Sequence, residues 1–152
     1  MDIIADTNVW LRIADNHSPQ HTAARECVVQ LLARDARIYL LPQNAIEFWA
    51  VATRPRAANG LEWTTERTVL EISEMRSKFE LLPENELIFE KWSELVKSEK
   101  ISGKRVHDAR LAAQMWVYNV SYLLTFNEQD FARFSWITIL CPQDLAVPEG
   151  EQ

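Results

Sequence analysis

Short apolar runs alternate along the chain with longer stretches in which apolar residues recur every three or four positions. The first run, Ile3, Ile4 and Ala5 inside "DIIAD", predicts a short strand buried on both faces, which reads as a continuous apolar block. It stops at Asp6, and Thr7 or Asn8 is expected to cap a short helix carrying Val9, Trp10, Leu11 and Ile13. "NHSPQHTAARECVVQLLARDA" predicts a longer helix, with Ser18 at its N-cap and Pro19 at its first position. Its stripe is Ala24, Cys27, Val28, Leu31 and Leu32.

"RIYLLP" predicts a second strand ended by Pro42, and "QNAIEFWAVAT" a helix broken by the loop "RPRAANG". Thr64 or Thr65 opens the next helix, with Val69, Ile72 and Met75 facing inward. "FELLP" predicts a third strand closed by Pro83, and a helix burying Ile88, Trp92, Leu95 and Val96 comes next. "SGKRVHDARLAAQMWVYNV" supplies another helix, entered after Ser102 and Gly103. "SYLLTF" and "WITIL" are the fourth and fifth strands, with a short helix near "NEQDFARF" between them. This alternation predicts a three-layer α/β/α fold: a central, mostly parallel sheet, helices on both faces and right-handed crossovers. Residues 1–145 are expected to form one domain and the tail 146–152 to fray.

Composition narrows the class. A hydrophobic fraction of 47% and a charged fraction of 25% over 152 residues suit one soluble domain with a single core. No apolar run approaches the ~20 residues that span a bilayer, and no basic-then-apolar leader opens the chain. Cys27 and Cys141 form no CxxC pair and read as reduced thiols, so a cytoplasmic protein is expected. A formal net charge of -6 argues against nucleic-acid binding, because a polyanion needs a basic surface. That objection weakens if the acids gather around bound cations.

Four carboxylates stand where such a fold does not explain them. Asp6 ends the first strand, and ligands of open α/β sheets bind beyond the carboxyl ends of strands; the ordinary alternative is a turn cap for the next helix. Glu47 shares a helix face with Gln43, Asn44, Ala50 and Val51, which suggests an inward-facing acid, though a boundary glutamate reaching water fits as well. Asp108 lies on one stripe with Leu111, Ala112 and Met115. The helix dipole explains its charge but not its inward face. Asp130 comes after a strand in "LLTFNEQDF", where Thr125 and Asn127 add polar groups, and a turn would explain it locally. Four carboxylates share a pocket only with something positive among them. Oxygen donors without a Cys or His cluster select a hard cation such as Mg²⁺ or Mn²⁺.

The blocks "DTNVWL", "EF" in "QNAIEFWAVATRP", "HDARLAA" and "TFNEQDF" make the chain resemble a PIN domain over nearly its whole length, and most of all the VapC-like toxins of type II toxin–antitoxin pairs. The resemblance implies a metal-dependent endoribonuclease whose acidic residues fall on Asp6, Glu47, Asp108 and Asp130. Supporting polar residues fall on Thr7, Asn8, Thr125 and Asn127. Many relatives carry an aspartate where this chain has Asn127, so Asp130 is expected to reach a metal either directly or through water. The resemblance also implies an RNA substrate, a small antitoxin protein that covers the site, and a homodimer.

Arg54, Arg56, Lys104, Arg105 and Arg110 lie near the expected edge and are candidates for gripping RNA phosphates, with solvated salt bridges as the plainer alternative. His17 and His21 read as a solvated first turn, His107 as a packing or hydrogen-bonding residue, and Phe48, Trp49 and Trp116 as core or interface. The alternative function is a non-catalytic module of the same fold that binds RNA or protein. A phosphate-accepting receiver-like domain ranks below both, because the chain lacks the adjacent acid pair and late lysine it needs.

Overall fold

Ile3 and Ile4 point to opposite sides of the sheet, as neighbours on a strand must, and each is fully buried. That one fact requires helices on both faces. The computed structural model describes residues 1–145; the tail expected to fray lies outside them. The described elements are β1 (Asp2–Ala5), α1 (Thr7–Ala14), α2 (His21–Ala33), β2 (Arg37–Tyr39), α3 (Pro42–Thr53), α4 (Thr65–Lys78), α5 (Glu86–Ser98), α6 (Arg105–Val117), β3 (Tyr122–Leu124), β4 (Thr138–Leu140) and α7 (Pro142–Leu145). Short 3-10 turns lie at Arg56–Ala58 and Glu128–Phe131.

The strands pair all-parallel in the order β2-β1-β3-β4. Ile3 lies opposite Ile38 and Tyr122, and Ile4 opposite Tyr39 and Leu123, so β1 is central. One face packs Ile3 and Ala5 against Trp10, Leu31 and Phe48. The other packs Ile4 and Leu123 against Ile88, Leu111 and Met115. This is the expected three-layer α/β/α fold.

Several local expectations change. "FELLP" forms no strand: Leu81 makes one parallel bridge to Leu40, with the Leu40 amide donating to Glu80 and the Leu82 amide to Leu40. Pro83 has no N–H to carry that edge further. The second helix begins at His21 rather than Pro19, because the Ser18 hydroxyl accepts from the Gln20 amide and closes a turn instead. Leu32 falls outside the buried stripe and is 44% exposed. On α4 the inner residues are Thr68, Ile72 and Met75, while Val69 faces solvent. Thr68 can be buried because its hydroxyl donates to the Thr64 carbonyl. Phe48 is core, but Trp116 is a surface residue, under the Lys91 ammonium and edge-on to Trp136.

Truncating Leu123, fully buried in β3, is expected to cost about 2–5 kcal/mol through lost burial and the cavity left behind. Urea unfolding of Leu123→Ala checks this; a loss under about 1 kcal/mol would place the core elsewhere.

Candidate active site

The parallel ladder continues one residue past β1, with the Asp6 amide donating to the Leu124 carbonyl at 2.8 Å. This fixes the Asp6 backbone at the carboxyl edge of the sheet. Asp6 itself, rather than Thr7 or Asn8, caps α1: its Oδ1 accepts from the Thr7 amide at 2.8 Å. The other oxygen accepts from the Thr125 hydroxyl at 2.8 Å and the Asn8 amide group at 3.2 Å. The cap explanation and the site explanation for Asp6 therefore coexist in one side chain.

Glu47 arrives from the neighbouring α3. Asn44, fully buried, accepts from the Leu41 amide and donates to the Thr7 hydroxyl at 3.1 Å. Thr7 in turn donates to Glu47 Oε1 at 3.2 Å. This relay aims Glu47 toward the sheet edge. Beyond β3, Thr125 accepts from Asn8 and from the Asn127 amide, while Asn8 accepts from the Phe126 amide. Thr7, Asn8 and Thr125 act here through side chains; Asn127 acts through its backbone N–H.

Asp108 stands in the first turn of α6, above buried Leu111, Ala112 and Met115. The Arg105 guanidinium lies 2.6 Å from Asp130 and 3.9 Å from Asp108, which joins these two acids through a cation. Arg110 is held by Glu84 at 2.6 Å and by Gln43 at 3.2 Å. Arg54, Arg56 and Lys104 are exposed and make no ion pair among the described residues.

Electrostatics binds the four acids together. Burial pushes the Asp6 carboxyl up to about 6; the Thr125 and Thr7 hydrogen bonds oppose this, while Glu47 and Asp108 add repulsion. Burial also pushes Asp108 up to about 6, with Asp130 and Glu47 repelling it and Arg105 and His107 opposing. As arranged, no three His, Cys, Asp or Glu side chains among the described residues stand close enough to hold a metal ion. The donor chemistry nevertheless fits one: oxygen ligands only, carrying mutual repulsion that a hard divalent cation relieves.

Sequence reasoning noted Gln43 and Asn44 only as neighbours of Glu47. The structure gives Gln43 a position of its own. It donates to the His107 carbonyl at 2.9 Å and accepts from Gln114 at 2.7 Å, besides holding Arg110. Among the described residues, every side-chain hydrogen bond between α3 and α6 passes through it. The available signal was two amides, three and four residues before Glu47, on a face otherwise due to be apolar.

The raised carboxyl values carry a pH dependence. Folded Asp6 holds its proton up to about 6, whereas the ordinary value is 3.8, so between these pH values the folded state binds more protons. Stability from this group is full below about pH 4 and is lost as pH rises through about 6. In chelator-treated protein, Asp6→Asn is therefore expected to gain on the order of 2 kcal/mol relative to wild type between pH 4 and pH 8. Denaturant titrations across that range measure it, and a pH-independent difference would contradict a carboxyl raised by burial and neighbouring acids.

Several solved structures share this arrangement of strands and helices. VapBC2 from Rickettsia felis, bound to a DNA fragment from its promoter, superposes with a TM-score of 0.68 at 16% identity, covering 93% of this chain and 98% of that one. VapC20 of Mycobacterium tuberculosis, described as a Sarcin-Ricin loop cleaving toxin, gives 0.63 at 17% identity over 87% and 95%. DNA-bound VapBC from Salmonella typhimurium gives 0.67 at 18% identity over 93% and 98%. Identities this low establish the fold alone. A sequence comparison with curated proteins returned no match. The PIN domain profile matches residues 3–137, nearly the whole described chain, and the chain therefore belongs to the PIN domain family.

Proposed function

We propose that this chain is a metal-dependent endoribonuclease that hydrolyses RNA phosphodiester bonds as the toxin of a toxin–antitoxin pair. The observation that carries the reading is the gathering of Asp6, Glu47, Asp108 and Asp130 from four separate segments at one sheet edge, where Glu47 and Asp108 add to the burial that raises Asp6, and Asp130 and Glu47 to the burial that raises Asp108. A fold gains nothing from such a cluster unless a cation or its chemistry is required there.

Asp6, Glu47 and Asp108, with Asp130 directly or through water, would hold Mg²⁺ or Mn²⁺. When bound, such an ion lowers the pKa of a coordinated water and offsets charge building on the phosphate. The chain's own residues supply the order around it. Thr125, Asn8 and the Thr7 amide fix both oxygens of Asp6, and the Asn44–Thr7 relay fixes Glu47. Arg105 offsets part of the charge of Asp108 and Asp130. Arg54, Arg56 and Lys104 are exposed cations available to phosphates; Arg110 is committed to Glu84 and Gln43. A small antitoxin protein that covers this edge, and a homodimer, belong to the same reading. The antitoxin part of it is supported by the VapBC structures among the structural neighbours.

Two observations favour a second reading. The Arg105 pairing and the absence of a close three-acid group among the described residues also suit a non-catalytic module that binds RNA or protein. Incubation with total RNA separates the two. The nuclease cleaves with Mg²⁺ and stops with chelator, and Asp6→Asn and Asp108→Asn each lower the rate about 100-fold or more, beyond what losing an outer-shell partner costs. Retained thermal stability shows that these variants fold. Cleavage persisting in either one, once contaminating nuclease is removed, would end the reading.

A further inference from the structure

An acidic protein gathers three of its arginines in a cleft separate from its cluster of four carboxylates. A cleft of about 440 Å³ is lined by Arg12, Arg56 and Arg67, with Asp15 as its one acid. None of the three guanidiniums lies within ion-pair distance of a carboxylate among the described residues, although Glu71, one turn along α4, feels the charge of Arg67. Two are held in position by uncharged partners: Gln20 accepts from Arg12 Nε at 2.9 Å, and Arg67 lies 3.9 Å over the Trp63 ring. Trp63 is in turn braced edge-on by Phe48 of the core. Guanidiniums held in place with no carboxylate in direct contact are suited to phosphate oxygens, which they meet with paired N–H donors.

The topology sets this cleft on the same edge as the acids. Because β1 and β2 are parallel, α2 must run back against them, so the 15–20 turn before it lies where β1 ends. Likewise α4 leads to Leu81, which bridges Leu40 in parallel, so Trp63 and Arg67 at its start lie at that edge too. Asp6 and Arg12 stand at the two ends of one short helix, six residues or roughly 9 Å of helix rise apart.

We propose that this cleft binds the sugar-phosphate backbone of single-stranded RNA running on from the carboxylate cluster, an inference that rests on the ribonuclease reading. A protein partner is the poorer match: of the lining residues only Pro19, Leu61 and Trp63 are apolar, and Trp63 is already covered by Arg67. Protein interfaces are anchored by buried apolar and aromatic groups, whereas single-strand grooves are anchored by cations along the backbone.

Full-length protein freed of metal should bind a long single-stranded oligoribonucleotide without cutting it, which fluorescence anisotropy reads at several salt concentrations. The triple variant Arg12→Gln, Arg56→Gln, Arg67→Gln is expected to bind about 10-fold or more weakly, with a salt slope shallower by about 2, the loss of three phosphate contacts. With Mg²⁺ restored, the double variant Arg12→Gln, Arg67→Gln should cleave an RNA too short to leave the carboxylates as well as wild type does. Arg56→Glu alone, at an exposed side chain with no hydrogen bond among the described residues, keeps the test open should the triple variant unfold. Unchanged affinity and slope in these variants, while wild type binds and cleaves RNA, would overturn the cleft and leave the nuclease standing. Polyglutamate held by the three arginines in preference to RNA would also overturn it. Wild type that neither binds nor cleaves RNA would remove the nuclease reading and this proposal together.

Discussion

Everything at the functional edge depends on like charges held close in a partly dry place. Asp6 ends the central strand, where parallel neighbours on both sides and helices above and below exclude water. Its backbone cannot move away, because the ladder extends through its amide to Leu124. Its side chain is equally constrained, since one oxygen caps α1 and the other meets Thr125 and Asn8. The fold tolerates the carboxylate only because three donors converge on it. Those donors oppose the effect of burial and of Glu47 and Asp108 without cancelling it, as the raised pKa shows.

Two helices approach that strand end from opposite sides, and their relative placement decides how closely Glu47 and Asp108 meet. α3 and α6 carry these acids but are joined by polar contacts rather than by a continuous apolar seam. Gln43 reaches the His107 carbonyl, next to Asp108, from one turn before Glu47, and Gln114 and Arg110 fasten it on α6. A buried amide with several partners transmits position well, because any shift leaves a donor or acceptor unpaired. Glu84 extends the same chain of contacts to the loop before α5.

Much of the fold was legible because its signals are local and redundant. Apolar blocks at residues 3–5 and 122–124, and periodic runs in α2, α5 and α6, each declare an element without reference to distant chain. The features that were missed depend on partners. Pro83, two residues beyond Leu81, stops a single bridge from growing into a strand, and Thr68 is buried only because its hydroxyl reaches the Thr64 carbonyl. The candidate carboxylates could be named because each breaks a pattern: a charge at a strand end, an acid on an apolar stripe. Gln43 and Asn44 stand out on their face only as uncharged amides, which do not declare their partners, and the Arg105–Asp130 pair spans 25 residues. Long-range polar contacts of this kind leave no spacing signature.

The Arg105 contact also bears on how the acidic edge meets anions. It is a half-exposed pair, with the guanidinium side chain 48% accessible. Pairs so open to water are worth only about 0–1 kcal/mol, so the arginine is a weakly held counter-ion rather than a fixed strut. On the nuclease reading, a divalent cation held by the same carboxylates would bring twice the charge of the arginine. Arg105 stands at the start of α6, beside exposed Lys104, where it could also meet phosphate. A net charge of -6 is therefore a poor guide to what this edge attracts. The sign of a local field depends on which charges are already neutralised, and here Arg105 at the acids and Arg12, Arg56 and Arg67 in the neighbouring cleft each bear on it.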